Sequence, residues 1–182
     1  MDRTALAKEI ASASLLRGTF TLRSGKTSHY YLDKYLFSTR PEILRELGQL
    51  FADRIPAGTT RVAGAELGGI PLVSAASMAS GLPSLFVRNA KKDYGTAKQL
   101  EGKLCKGDRV VFVEDVATTG GQALEAVKVL QDAGAIVTHV ICTIDRMEGA
   151  KQNIESAGVI FDSLFTVREL GIEADTATTS RV

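Results

Sequence analysis

Val110-Val-Phe-Val-Glu-Asp-Val-Ala-Thr-Thr-Gly-Gly121 decides the fold. Val110 to Val113 is a short, continuously apolar run, the signature of a strand buried on both faces. Two adjacent carboxylates, Glu114 and Asp115, follow the run. Two hydroxyls, Thr118 and Thr119, and two glycines, Gly120 and Gly121, come next. The pattern then turns helical over Gln122 to Asp132, with Ala123, Ala126, Val127 and Leu130 on the inner face, and Gly134 sits where helices end. The glycines let the backbone turn sharply and approach a ligand closely. The helix start offers unpaired N–H groups and roughly half a unit of positive charge. Together they form an anion cradle suited to a phosphate. The carboxylates repel the same anion and must face sugar hydroxyls or a divalent cation. A phosphate at one end and a diol at the other describe a ribose 5-phosphate.

Outward from this segment the chain alternates short strands with helices. Val62-Ala-Gly64 reads as a strand, Ile70 to Ala79 as a helix and Leu85-Phe-Val87 as a strand. Beyond the central unit, Ile136 to Ile144 reads as a strand, Lys151 to Ser156 as a short helix and Val159 to Phe165 as a last strand. Such alternation predicts an α/β fold with a mostly parallel sheet flanked by helices, whose ligands bind beyond the carboxyl ends of the strands. The first sixty residues differ. Thr4 to Leu16 reads as an amphipathic helix, Gly18 to Gly25 as a strand and turn, and Ser28 to Leu32 as an extended, tyrosine-rich stretch. Thr39-Arg-Pro-Glu42 has the form of a capping box before a helix that buries Ile43, Leu44, Leu47, Leu50 and Phe51.

At 182 residues the chain is the length of one domain, and its 45% apolar and 24% charged residues suit an ordinary globular protein. The net charge of +1 gives no bulk attraction for nucleic acid or membrane. Cys105 and Cys142 are too few for a disulfide framework and fit a reducing cytoplasm; both are expected as small buried apolar residues. Leu67 to Val87 carries no charge, but its glycines, prolines and serines argue for a buried helix and strand, not a membrane span. There is no P-loop motif and no Gly-x-Gly-x-x-Gly.

Between Arg88 and Lys106 lie six basic and two acidic residues, bracketed by Gly95 and Gly102. A loop of this kind suits a lid over a polyanion such as pyrophosphate, with Arg88 and Lys92 nearest the strand end. The lone histidines find no nucleophile constellation: His139 is expected to be structural and His29 exposed. Tyr30 and Tyr35 are expected as packing residues, and Asp145 stands where it could orient Arg146.

The Val110–Gly121 segment resembles the phosphoribosyl-diphosphate (PRPP) motif of the type I phosphoribosyltransferases. Phe20-Thr-Leu-Arg-Ser-Gly-Lys-Thr-Ser28 with Tyr30-Tyr31, Lys92-Asp-Tyr-Gly-Thr96 with Glu101-Gly102, and Ile144-Asp-Arg146 resemble the orotate branch of that family. The resemblance implies a type I phosphoribosyltransferase fold with a small N-terminal hood. Residues 1–60 would be the helix and hood, 61–170 the PRPP-binding core and 171–182 a tail, all within one domain spanning 1–182. It implies a pentosyltransferase of pyrimidine biosynthesis that converts orotate and Mg²⁺-bound PRPP to orotidine 5′-monophosphate and pyrophosphate. A purine or uracil enzyme of the same class, or a non-catalytic PRPP sensor, are the alternatives. A cytoplasmic homodimer with a shared active-site loop is implied as well, with no nucleic acid or membrane partner.

Residue by residue, the resemblance implies that Glu114 and Asp115 hold the ribose hydroxyls, with Asp115 and Lys92 as the catalytic pair. Val116, Ala117, Thr118, Thr119, Gly120, Gly121 and Gln122 would wrap the 5′-phosphate. Arg23, Arg88, Asn89, Lys92 and Tyr94 would contact the rest of PRPP. Tyr31, Leu32, Thr118 and Arg146 would bind orotate, Arg146 pairing with its carboxylate, while Mg²⁺ would be held by PRPP and water without a dedicated protein cage. Two positions depart from the pattern: Asn89, where many relatives carry lysine, and Gly68, where some do.

Overall fold

The structure, a computed structural model, describes residues 1–21, 27–89 and 99–172. The chain opens with α1 (Arg3–Ser14), capped by Asp2, whose carboxylate accepts from the Ala5 N–H at 2.7 Å. Leu15 and Leu16, expected as the helix's last turn, begin β1 (Leu15–Thr21) instead. Their main chain pairs antiparallel with β2 (Thr27–Leu32), Leu15 against Leu32 and Leu16 against Tyr31. This two-stranded ribbon is the expected hood. A five-residue helix, α2 (Lys34–Ser38), follows, too short to leave a periodicity in the sequence.

The next helix, α3 (Pro41–Ala52), has Pro41 in its first turn as expected, but the capping box does not form. The Thr39 hydroxyl donates to the Tyr35 carbonyl at 2.6 Å, closing α2 and leaving the N-cap position to Arg40. Then come β3 (Arg61–Ala65), α4 (Gly69–Ser80), β4 (Ser84–Val87), β5 (Leu100–Glu101), β6 (Arg109–Ala117), α5 (Gly121–Asp132), β7 (Ile136–Asp145), α6 (Ala150–Ser156) and β8 (Ile160–Thr166). The six-stranded sheet has the order β5-β4-β3-β6-β7-β8, parallel throughout except for β5, an edge strand antiparallel to β4.

β6 lies between β3 and β7, and its burial explains the unbroken apolar run in the sequence. Successive side chains point to opposite faces of a strand. Val111 and Val113 enter a core with Leu6, Ile10, Ile43, Leu47 and Phe51 from α1 and α3, and Leu72 and Val73 from α4. Val110 and Phe112 enter a second core with Ala123, Val127 and Leu130 of α5, Leu85 of β4 and Phe161 of β8. Close helix packing covers the first core: a Cβ on Gly48 of α3 would lie 2.8 Å from the Ala75 carbonyl oxygen of α4. The uncharged stretch Leu67–Val87 is α4 and β4, and among the described residues no helix is long and apolar enough to cross a membrane.

Three smaller expectations are corrected. Cys142 is buried in β7, but Cys105 is exposed in the turn before β6, where its N–H donates to Asp108 Oδ2 at 2.7 Å. Tyr35 is exposed at the edge of the hood, where it packs little. Asp145 does not engage the Arg146 side chain; its carboxylate accepts from the Met147 N–H at 2.8 Å.

Candidate active site

The strand that carries the acid pair does not end at Val113. It runs to Ala117, so Glu114 and Asp115 stand inside it, short of its end, a correction to the reading that places them beyond it. The extra strand residues fix the two side chains on opposite faces. Glu114 pairs in register with Cys142 of β7, while Asp115 is met from the hood side by Lys34. Both carboxylates fold back on the main chain. The Asp115 N–H donates to Glu114 Oε1 at 2.9 Å, and the Val116 N–H to Asp115 Oδ1 at 2.6 Å.

Asp115 is only 3% exposed, and a charge so enclosed needs a partner. Lys34 supplies it, with Nζ 2.8 Å from Asp115 Oδ2. Burial works against the ammonium, but the Asp115 carboxylate, seconded by Glu114, more than offsets it, so the Lys34 pKa is raised. For Glu114, burial and then the neighbouring Asp115 charge push the pKa up to about 8.

After Ala117 the chain turns through Thr118, Thr119 and Gly120. Gly120 has φ +79°, a conformation few other residues adopt, and a Cβ there would lie 2.9 Å from Ile154 Cδ1. The carbonyls of the turn are held from behind. The Arg146 N–H donates to the Ala117 oxygen at 2.9 Å, the Ala150 N–H to Thr118 at 3.1 Å and Asn153 Nδ2 to Thr119 at 2.8 Å. Among the described residues, the N–H groups of Thr118, Thr119 and Gly120 meet no backbone or side-chain acceptor. The first-turn N–H groups of α5 have no intrahelical acceptor either. A cleft lined by residues 116–123 opens over these donors.

That cleft shares Glu114 and Gln122 with a second one, lined by Lys34, Glu66, Gly68, Arg88, Asn89 and Asp115. Arg88 and Asn89 follow β4. The Asn89 N–H donates to Glu66 Oε1 at 2.8 Å, and the Arg88 N–H to the Gln99 carbonyl at 2.8 Å. Arg88 Nε is a buried donor without a partner among the described residues. The glycine at 68 has a local cause: a Cβ there would run into Asp115 Oδ2 and lie 3.2 Å from Lys34 Cε. No group of three or more His, Cys, Asp or Glu side chains converges among the described residues.

Arg146, at the end of β7, points toward the hood. Its Nη2 donates to the Tyr30 hydroxyl at 3.1 Å, its guanidinium stands 5.1 Å from the Tyr30 ring centre, and Nε pairs with Glu148 Oε1 at 2.8 Å. Tyr31 and Leu32 do not share a face. Leu32 is buried in the core, whereas Tyr31 is exposed, its ring 5.7 Å from that of Phe20. The structure thus brings together Arg88, Asn89, Glu114, Asp115, Val116, Ala117, Thr118, Thr119, Gly120, Gly121 and Gln122 around joined clefts. Arg23, Lys92 and Tyr94 lie outside the described residues. Sequence reasoning missed Lys34, Glu66 and the contacts of Arg146 with Tyr30 and Glu148. For Lys34 one sign was legible: Asp33 before Lys-Tyr-Leu-Phe is a helix cap, and its carboxylate accepts from the Tyr35 N–H at 3.1 Å.

A parallel sheet whose central strand ends in an acid pair and a glycine turn, under a hairpin roof, has the architecture of the type I phosphoribosyltransferases. No protein-family model matches the chain. It is 48% identical over 153 residues to the orotate phosphoribosyltransferase of Methanocella arvoryzae, covering 84% of this chain and 87% of that relative. It superimposes with a TM-score of 0.83 on the crystal structure of Mycobacterium tuberculosis orotate phosphoribosyltransferase, at 33% identity, covering 94% of this chain and all of the other. The same enzyme in complex with PRPP matches with a TM-score of 0.79 at 32% identity, again over 94% of this chain and 100% of that one. The chain belongs to the orotate phosphoribosyltransferase family.

Proposed function

We propose that the protein transfers the 5-phosphoribosyl group of PRPP to orotate, forming orotidine 5′-monophosphate and pyrophosphate in pyrimidine biosynthesis. The observation that carries this reading is the placement of three polar groups: the Glu114–Asp115 pair, the N–H cradle of Thr118 to Gln122 beside it, and the Arg146 guanidinium just past the end of β7. The cradle takes the 5′-phosphate and the acid pair takes the ribose hydroxyls, which donate to carboxylate oxygens. Arg88, with its unpartnered Nε, and Asn89 face the pyrophosphate. Lys92, as lid cation, and Arg23 and Tyr94 belong to the same PRPP site in this reading. Arg146 suits the planar orotate carboxylate, exchanging its contact with Glu148 for the substrate. The Tyr31 side chain and the edge backbone of Leu32 border the base, with Thr118 across from them.

The chemistry requires no enzyme nucleophile. The anomeric C–O bond to pyrophosphate breaks as the bond to orotate N1 forms, the N1 proton passes to water or the departing pyrophosphate, and positive charge builds on the sugar in between. Holding the reactants in line and balancing the departing charge lower the barrier. The donor set fits Mg²⁺ carried by PRPP: two carboxylates can face it, and the ion otherwise prefers phosphate and water oxygens. Bound there, it would supply positive charge against the leaving pyrophosphate. We read residues 1–182 as one domain, with hood 1–60, core 61–170 and tail 171–182. We place it as a homodimer with a shared lid loop in the cytoplasm, where the thiols of Cys105 and Cys142 stay reduced.

The test is pyrophosphate release from Mg²⁺ and PRPP with orotate, uracil or adenine in parallel. Release with orotate alone is expected. Release only with uracil or adenine would reassign the base, and no release with any of them would leave a PRPP sensor.

A further inference from the structure

Among the described residues, Lys34 is the one charged group of the acid-pair cleft that comes from the hood. It is the first residue of α2, immediately after β2 and its capping residue Asp33. From there its stem crosses to the sheet, where Nζ reaches Asp115 Oδ2 at 2.8 Å. Two independent features adapt the site to that reach. Gly68 leaves open the space that the Asp115 carboxylate and Lys34 Cε occupy, and any side chain there would break the contact. Asp115 in turn is nearly sealed from water, while Lys34 keeps a third of its side chain exposed and lines the cleft with Arg88 and Asn89. The ammonium therefore faces the carboxylate on one side and the open cleft on the other. Glu114 and Tyr35 are the other titratable groups that act on it.

We propose that Lys34 is a positioning residue for the phosphoribosyl donor, holding the Asp115 carboxylate aimed at the ribose hydroxyls from the hood side of the PRPP site. This rests on the phosphoribosyl-transfer reading. The direction of the pair matters. A carboxylate held at one oxygen by a cation and at the other by the Val116 N–H is fixed in its rotation, and Asp115 is so held at the wall of the cleft.

The experiment compares the unaltered protein with Lys34→Met, Lys34→Gln and Lys34→Arg. Pyrophosphate release by the unaltered protein from PRPP and orotate comes first; its absence would defeat the phosphoribosyl-transfer reading, not this one. Given release, Lys34→Met and Lys34→Gln should each raise the KM for PRPP roughly tenfold, the loss of one charge-assisted contact. The KM for orotate should stay within about twofold and Lys34→Arg should recover most of the loss. Calorimetric titration with PRPP alone should show the same weakening. Glu114 should also lose its proton at higher pH in Lys34→Met, because the ammonium that favours its charged form is gone. PRPP affinity within twofold of the unaltered protein in both neutral variants, or equal losses for both substrates, would overturn the proposal.

Discussion

The turn after β6 and the hood ribbon both border the joined clefts, yet they are built in opposite ways. The turn is local. Its carboxylates, hydroxyls and glycines are consecutive in sequence, and its conformation is set by Gly120 and by hydrogen bonds from the neighbouring β7–α6 segment. The hood is assembled at a distance. The Tyr30 hydroxyl meets an arginine 116 residues away, and Lys34 crosses to a carboxylate on the central strand. A chemical task that needs several donors aimed at one anion is met by contiguous backbone. A task that needs a neutralising charge or an orienting hydroxyl is met by single side chains from wherever the fold brings them.

Four changes test that contrast. The largest effect is expected at Asp115, where both regions meet. Asp115→Asn should lower kcat/KM on the order of a hundredfold, since it weakens the contacts to the sugar and leaves Lys34 facing a neutral amide. A steady-state assay alongside circular dichroism checks it. Gly120→Ala comes next and reads the local turn alone. The positive φ and the contact with Ile154 should cost about 1–2 kcal/mol, a fall of several degrees in Tm. The KM for PRPP should rise while that for orotate holds.

Glu114 gives a pH signature. Its folded pKa of about 8 lies above its ordinary carboxylate value, so the folded chain holds this proton more tightly than the unfolded one. That stability is fully present below the unfolded pKa and drains away as pH rises toward 8. Glu114→Gln, which cannot lose a proton, should flatten Tm against pH over this window and melt higher than the unaltered protein at its upper end. Thermal melts from pH 5 to about 9 measure it. The smallest effect belongs to Tyr30→Phe, which removes one hydroxyl from Arg146. About 0.5–1.5 kcal/mol, a few-fold rise in the KM for orotate, is expected. A larger rise in the KM for PRPP than for orotate would erase the distinction between the two regions.

The same contrast explains what the sequence disclosed. The strands and helices of the core are legible because burial on both faces writes continuous apolar runs, and because Gly120 and Gly134 mark where the chain must turn. β6 was still read too short: Glu114 and Asp115 look like the end of a strand although β7 keeps pairing beside them to Asp145. The helix α2 and the strand β5, at five and two residues, are too short to show a period. Leu15 and Leu16 continue a helical pattern in sequence and become a strand only because β2 is there to pair with. The site follows the same rule. The acid pair and cradle are visible as a motif, whereas the Asp33 cap marks only a helix start at Lys34, whose role comes from Gly68 and Asp115, distant in sequence.

The central strand's double burial has a consequence for motion. From Val110 to Val113, β6 is paired with strands on both sides and covered by two separate cores, so exposing its amides to solvent deuterium requires disrupting both. Those of β1 and β2 belong to a ribbon of only two strands and should exchange far sooner. The strand that leads into the acid pair is thus among the last parts of the molecule to open, and the ribbon among the first.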